Sequence, residues 1–403
     1  MNRLIQKMTH NNRIVSVDIA KGFILLIIIA LTDYYPGILR IWFNSEPLPS
    51  SLNIISGLSF TAFFYLSGIT FPFFVSKKIN QNNSTNEIIR MIFARTLILI
   101  TVGMLLENIS RVDASLTGLS QPLWTFFLIT AIFLTWNRYP DRDNNFFTVN
   151  GLRVAGLAIL VFLVLKFNSG TYENNGSLIP GCWELPGLLG WGFLVSSLTW
   201  LALHNSLTGT FTVWLFFFSL NVISALGLND YLDPARKYFG VLIDGFIPSI
   251  VLAGHLTGIL LKKYPVSELL KPALIIGGAG VLFIISGILS VRFFPLSDSF
   301  NNPSLTLAGT GTASLLFILL YIFTELRKPG LRAGFAGTAG AGFFSAYLIY
   351  FFISSAIALT GINLLFYKTS GIFLIKAGGS VAFALIIILS GNLLARTGIR
   401  LKF

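Results

Sequence analysis

Residues 272–291, PALIIGGAGVLFIISGILSV, form an apolar stretch of twenty residues without a charged side chain. A helix rises 1.5 Å per residue, so about 20 residues cross the hydrocarbon core of a bilayer. Similar stretches recur along all 403 residues, of which 54% are hydrophobic and 11% are charged. Soluble domains carry about 25% charged residues, so the composition excludes a soluble globule. We therefore predict an integral membrane protein.

The apolar pattern predicts twelve membrane-spanning helices. The fifth is short and the twelfth contains Gly378-Gly379, so ten to twelve spans fit the pattern. We predict an all-α, polytopic transmembrane helix bundle that forms a single integral membrane domain over residues 1–403. The predicted segments are 17–32, 54–75, 88–106, 119–136, 152–167, 185–203, 209–228, 239–261, 272–291, 305–326, 337–359 and 373–394.

The distribution of basic residues predicts the orientation. If the N-terminus is cytoplasmic, inner connections and termini hold eighteen Lys and Arg, and outer connections hold seven. The positive-inside rule therefore favours two cytoplasmic termini and accounts for the net charge of +12. The basic residues form no patch that would bind nucleic acid. We expect a multi-pass protein of the cell membrane, with a bacterial inner membrane as the favoured location.

Charged side chains inside the predicted spans are candidates for a functional site, because unpaired charge in a bilayer costs about 3 kcal/mol or more. Asp18 and Lys21 are three residues apart at the start of the first segment, so they share one helix face. They form either a structural ion pair or part of a site. Arg95, one turn into the third segment, either extends to lipid headgroups or binds an anionic group.

Asp244 and His255 are eleven residues apart on the eighth segment, close to three helical turns, so we expect them on one face. A membrane histidine carries protons, binds a metal or hydrogen-bonds a neighbouring helix. The chain has one cysteine, Cys182, and no Cys/His cluster, so we expect neither a disulfide nor a metal site. Glycine-rich runs such as 277–280 predict close helix contacts rather than phosphate-binding loops.

Three stretches near the N-terminus resemble a known family. Residues 13–22, RIVSVDIAKG, resemble the Arg-x-x-Ser-Leu-Asp-x-x-Arg-Gly opening of multispanning membrane acyltransferases. Residues 60–78, FTAFFYLSGITFPFFVSKK, and residues 95–103, RTLILITVG, are similar to the next two helices. The resemblance is to the heparan-α-glucosaminide N-acetyltransferase branch and its bacterial relatives.

This resemblance implies transfer of an acetyl or acyl group from acyl-CoA to an amino or hydroxyl group of a sugar. Acyl-CoA would be a co-substrate, and no cofactor would be permanently bound. The family's histidine before the second helix and aspartate at its start align with Pro47 and Gly57 here. The last arginine of the opening pattern is Lys21, which keeps the charge but loses the planar guanidinium.

Without that histidine, the predicted catalytic residues are Asp33, Glu46 and His255. Asp33 and Glu46 are the carboxylates of the loop 33–53, and each is either solvated or a base whose pKa is raised by burial. The resemblance suggests that Asp18, Lys21 and Arg95 shape the donor pocket or meet the donor phosphates.

A second hypothesis is a scaffold without catalysis that transports or binds a lipid or glycan. Discontinuous helices would favour transport, whereas a cytoplasmic cavity sized for coenzyme A would favour the enzyme. A purely structural subunit is a third alternative. The expected partners are membrane lipids and a sugar or glycan acceptor, a homodimer is left open, and nucleic acid is not expected.

Overall fold

A computed structural model describes residues 14–35, 50–139, 146–170, 176–181, 184–264, 268, 270–295, 302–327, 334–362, 365–396, 398 and 401. Within these ranges the chain is helical and forms no strand. The predicted all-α fold is therefore confirmed.

Fourteen helices of eight or more residues lie within the described ranges. They are α1 Val15–Tyr34, α2 Ser50–Asn80, α3 Thr85–Glu107, α4 Gln121–Trp136, α5 Phe146–Lys166, α6 Leu185–Leu203, α7 Leu207–Ala225, α8 Asp233–Ile243, α9 Phe246–Lys263, α10 Leu270–Ser290, α11 Pro303–Tyr321, α12 Gly334–Ala341, α13 Phe343–Thr360 and α14 Phe373–Arg396.

Each of the twelve predicted segments coincides with one of these helices or with two consecutive ones. Among the described residues, eleven helical spans are long and apolar enough to cross a membrane, and α4 is a shorter apolar helix. A multi-pass membrane protein with ten to twelve spans is thus confirmed. Which membrane holds it, and which end faces the cytoplasm, stay predictions.

The chain divides into two compact units. The first contains the described residues within Met1–Ile24, Leu39–Ile100 and Leu185–Ala341. The second contains those within Leu25–Ile38, Thr101–Glu184 and Gly342–Phe403. The prediction of a single integral membrane domain stays a prediction.

Helices α2 and α9 form the centre of the first unit, and most of the residues of α9 are buried. Glycines allow their backbones to touch. A Cβ on Gly68 would collide with the carbonyl oxygen of Val251, and a Cβ on Gly254 would collide with that of Tyr65. Small residues at helix interfaces serve this purpose in membranes, where close packing replaces a hydrophobic driving force.

The glycine-rich runs follow the same principle in part. A Cβ on Gly311 would collide with the carbonyl oxygen of Gly280, so α10 and α11 also pack at backbone distance. By contrast, a Cβ on Gly278 would meet nothing within 4 Å. Close packing therefore explains Gly280 and Gly311 but not every glycine of these runs.

The second unit is built around α4, α5, α13 and α14. The indole of Trp124 on α4 is fully buried and lies edge-on to Phe167, with ring centroids 5.9 Å apart. Phe126 of α4 stacks on Phe352 of α13, with centroids 4.8 Å apart. Aromatic side chains from facing helices thus fill this core.

The eighth predicted segment, 239–261, is not a continuous helix. Helix α8 ends at Ile243, and Gly245 adopts a left-handed conformation (φ +66°) before α9 begins at Phe246. A Cβ on Gly245 would also collide with the carbonyl oxygen of Phe217. Asp244 is therefore the C-cap of α8 and not part of α9. The expectation that it shares a helix face with His255 was wrong.

Arg236 bridges the segments around the break between α8 and α9. Its guanidinium donates to Ser224 Oγ and Asn229 Oδ1, and Nε lies 3.1 Å from Asp233 Oδ1. A further nitrogen lies 3.6 Å from Asp244 Oδ1. One cation thus connects the end of α7, the start of α8 and the C-cap, a geometry that suits the planar fork of arginine.

Candidate functional site

The three residues predicted to meet the acyl donor, Asp18, Lys21 and Arg95, all belong to the first unit. Lys21 is close enough to Asp18 and to Arg95 to interact electrostatically with both. Asp18 and Lys21 share a face of α1 because they are three residues apart. The structure therefore brings together these three predicted residues, and we call the two cations the Lys21–Arg95 pair.

The guanidinium of Arg95 packs between two aromatic rings. Its Cζ lies 4.9 Å from the ring centroid of Phe74 and 4.7 Å from that of Phe193. Its Nε is buried and has no hydrogen-bond partner within the described ranges. Cation–π contacts thus hold this charge against side chains of α2 and α6.

Close packing against α12 fixes the backbone of α1 beside Lys21. A Cβ on Gly22 would collide with the carbonyl oxygen of Ala336, and a Cβ on Gly340 would collide with that of Asp18. The glycines of α12 therefore let it approach the start of α1 at backbone distance.

Glu325 is a partner of α1 that sequence reasoning missed. Its Oε1 accepts hydrogen bonds of 3.0 Å from both the backbone N–H and the hydroxyl of Ser16. Glu325 lies in a π-helical turn, Ile322–Arg327, that follows α11. The sequence did hold a signal for this contact: Glu325 is a carboxylate near the end of an apolar helix, and such a charge needs a partner.

His255 is fully buried in α9. Its Nδ1 lies 2.8 Å from Ser196 Oγ, and its Nε2 has no hydrogen-bond partner among the described residues. Lys262, two turns further along α9, donates to the carbonyl of Pro72 at 3.2 Å and packs 4.6 Å from the Phe73 ring. The structure thus gives the predicted histidine a serine partner and a nearby cation.

Asp33, the second predicted catalytic residue, lies in the last turn of α1 and belongs to the second unit. Its carboxylate is buried, with 1% of the residue exposed. Tyr367 donates to Oδ2 at 2.7 Å, and Lys368 Nζ lies 2.6 Å from Oδ1. We call Asp33, Tyr367 and Lys368 the Asp33 cluster. The expectation that Asp33 lies in a loop, with a solvated carboxylate as one alternative, was wrong.

Tyr367 lies in a one-turn helix outside the spans, and both its burial and its hydrogen bond to Asp33 shift the pKa of its phenol. Burial raises the pKa of its phenol, and donation to the Asp33 carboxylate raises this pKa further. The phenol therefore stays protonated and keeps donating to Asp33 at physiological pH.

A second tyrosine–carboxylate contact lies in the same unit. Tyr347 Oη donates to Glu184 Oε2 at 3.0 Å, and Glu107 is near enough to interact electrostatically with this phenol. Tyr350, one turn along α13, donates to the carbonyl of Thr32 at 3.3 Å. Sequence reasoning did not single out these groups, because their partners are far away along the chain.

Glu46, the third predicted catalytic residue, lies outside the described residues, as does Pro47. Gly57, which aligns with the family aspartate, is a buried residue of α2. Among the described residues, no group of three or more His, Cys, Asp or Glu side chains could hold a metal ion.

Neither a scan against protein-family models nor a search of curated proteins returns a match for this chain. The function proposed below therefore depends on the site geometry and on the sequence resemblance.

Proposed function

We propose that this protein is a membrane-embedded, acyltransferase-like protein that passes an acetyl or acyl group from acyl-CoA to a sugar of the cell envelope. A bacterial inner membrane is the proposed location. The observation that supports it is the group of Asp18, Lys21 and Arg95 inside the helical spans, where Lys21 interacts with one carboxylate and with a second cation. Asp18 offsets one of the two positive charges, and the phosphates of coenzyme A would offset the other.

The reaction needs a proton acceptor. A sugar amino or hydroxyl group attacks the thioester carbonyl, and a tetrahedral intermediate forms as a base takes its proton. The C–S bond then breaks, the acyl group stays on the sugar, and the thiolate leaves and receives the proton. Acyl-CoA is consumed as a co-substrate, and the free thiol is the second product.

His255 is the better placed of the two described candidates for this base. Ser196 occupies its Nδ1, so Nε2 is the atom that would take the proton. Both oxygens of Asp33 are already engaged, one by Tyr367 and one by Lys368. Asp33 is therefore proposed to hold structure rather than to move protons. Since His255 has no exposed surface, catalysis would require the surrounding helices to open.

The second candidate function is non-catalytic transport or binding of a lipid or glycan. Interrupted helices favour it, because transporters commonly place substrate sites where spanning helices break. One break lies at Gly245 between α8 and α9, within the first unit. A π-helical turn, Ile322–Arg327, follows α11.

A transfer assay separates these candidates. Purified protein in lipid nanodiscs is given acetyl-CoA with a labelled acetyl group, together with amino sugars, and labelled sugar is measured. We expect labelled product from wild type and weaker acetyl-CoA binding by Lys21→Ala and Arg95→Ala. Arg90→Ala removes an exposed cation from the same helix as Arg95 and serves as the matched control.

The base is tested in the same assay. We expect His255→Asn to abolish transfer while acetyl-CoA binding persists, and Asp33→Asn to reduce folded protein without selectively reducing transfer. Absence of both transfer and acetyl-CoA binding in folded wild type would exclude the enzyme. Flux of a labelled lipid or glycan across proteoliposomes would then support the second candidate.

A further inference from the structure

An apolar cleft of about 370 Å³ lies within the first unit. Most of its wall comes from α7, α9 and α10, including Phe211, Leu256, Leu260 and Phe283. The polar pair Tyr65 and Thr257 also lines the cleft, but their hydroxyl oxygens lie 2.7 Å apart and hydrogen-bond each other. The lining therefore suits a hydrocarbon ligand, because few polar groups in it need an external partner.

The cleft lies near one end of α7 and of α9. Its lining begins at Leu207, the first residue of α7, and at Leu260, three residues before the end of α9. On α9 it extends inward to Ala253, ten residues from the end of the helix. At 1.5 Å per residue, the seven residues from Leu260 to Ala253 give the lining on α9 a length of about 10 Å, which accommodates part of an acyl chain.

Exposed cations lie at the same end of these helices. Helix α9 ends with Lys263, which is exposed, and α10 begins with Leu270 and Lys271. The side chain of Lys271 is 62% exposed, although it contacts Glu268 at 2.9 Å. An acyl chain in the cleft would therefore place its headgroup near two lysines.

We propose that this cleft binds an acyl chain of an anionic membrane phospholipid, with its phosphate headgroup at Lys263 and Lys271. The proposal does not depend on acyl transfer: His255 lies between the lining residues Ala253 and Leu256 on α9, but its side chain contacts Ser196 of α6. Each lysine near the membrane surface favours an anionic over a neutral lipid by about fivefold in relative affinity.

Trp214 provides a reporter inside the protein. Its indole lies 5.4 Å from the Phe211 ring and 5.6 Å from the Phe283 ring, and both of these residues line the cleft. Bromine atoms on a bound acyl chain would therefore quench its fluorescence. The chain has seven tryptophans, so the difference between wild type and Trp214→Phe isolates this signal.

The experiment compares full-length protein in vesicles that contain brominated phosphatidylglycerol or brominated phosphatidylcholine at equal mole fraction. We expect the anionic lipid to quench Trp214 more strongly, and Lys263→Gln and Lys271→Gln each to reduce its relative affinity about fivefold. Lys237→Gln, which removes an exposed lysine from α8, is the control and should leave this preference unchanged.

Ala279→Phe, which fills the cleft, should remove most of the quenching by either lipid, and Leu260→Phe serves as a second filling variant. Variants are compared only when their melting temperatures match wild type. Equal quenching by both lipids in wild type would overturn the proposal. So would unchanged quenching in both filling variants, or an equal effect of Lys237→Gln.

Discussion

The Lys21–Arg95 pair and the Asp33 cluster both place charged groups inside or beside apolar helices, but they neutralise the charge differently. In the Asp33 cluster, Lys368 lies 2.6 Å from the carboxylate and Tyr367 donates to its other oxygen. At the Lys21–Arg95 pair, the one carboxylate, Asp18, interacts with Lys21, and Arg95 packs on two aromatic rings. Charge that is matched inside the protein holds helices together, whereas an excess of one sign suits a ligand.

The largest expected effect tests the Asp33 cluster, in which the charges are paired. Lys368→Met should lower the free energy of unfolding by about 3 kcal/mol, because it leaves the Asp33 carboxylate buried without its cation. Because the Lys368 side chain is 28% exposed, we expect a loss of stability at the lower end of the range for broken buried ion pairs. Thermal or denaturant unfolding in detergent measures the change.

The double variant Asp33→Asn with Lys368→Met removes both charges and should recover most of that stability. A double variant as unstable as Lys368→Met alone would show that the ion pair is not the cause.

The next effect concerns the helix contact that positions Lys21. Gly22→Ala should cost about 2 kcal/mol of stability, because the added methyl group would collide with the Ala336 backbone. Gly278→Ala is the matched control. It adds the same methyl group to open space and should stabilise the protein by about 0.5 kcal/mol through helix propensity. Equal melting temperatures for the two variants would contradict close packing at Gly22.

A smaller effect tests Arg95 of the Lys21–Arg95 pair. Arg95→Lys keeps the charge but loses the flat guanidinium that packs between Phe74 and Phe193. We expect acetyl-CoA to bind about fivefold more weakly, which corresponds to about 1 kcal/mol. Arg90→Lys, an exposed arginine of the same helix, should leave the dissociation constant unchanged. If Arg90→Lys weakened acetyl-CoA binding while Arg95→Lys left it unchanged, the anion site would not lie at Arg95.

The smallest effect concerns Asp113, a partly exposed carboxylate of the second unit. The hydroxyl of Ser115 and the backbone N–H groups of Ser115 and Leu116 donate to it and lower its pKa. A depressed folded pKa stabilises this turn above the unfolded pKa of about 3.9, and the stabilisation is lost as pH falls through the folded value. Hydrogen exchange at Ser115 and Leu116, corrected for intrinsic rates, should therefore accelerate at acidic pH.

Asp113→Asn keeps an oxygen acceptor and should remove this pH dependence. An unchanged profile in the Asn variant would assign the acceleration to another group.

Apolar runs predicted the helices well, because a membrane span is decided by some twenty consecutive side chains. The break at Gly245 was missed although Asp244-Gly245 is a typical turn signal, since the surrounding apolar residues outweighed it. Asp18, Lys21 and Arg95 were recognised as charges inside predicted spans, and only the family resemblance grouped them. The setting of Asp33 could not be predicted, because Tyr367 and Lys368 are more than 330 residues away along the chain. Those contacts depend on how distant helices pack.

The partners of Ser16 and Asp33 have a consequence for biosynthesis. Ser16 bonds to Glu325, and Asp33 bonds to Tyr367, separations of 309 and 334 residues. At about 5–20 residues per second, a ribosome needs roughly 17–67 s to bridge the longer interval. During that time the first helix carries a carboxylate whose lasting partners do not yet exist. Its residence in the insertion machinery, and its exposure to quality-control proteases, should therefore depend on the speed of translation.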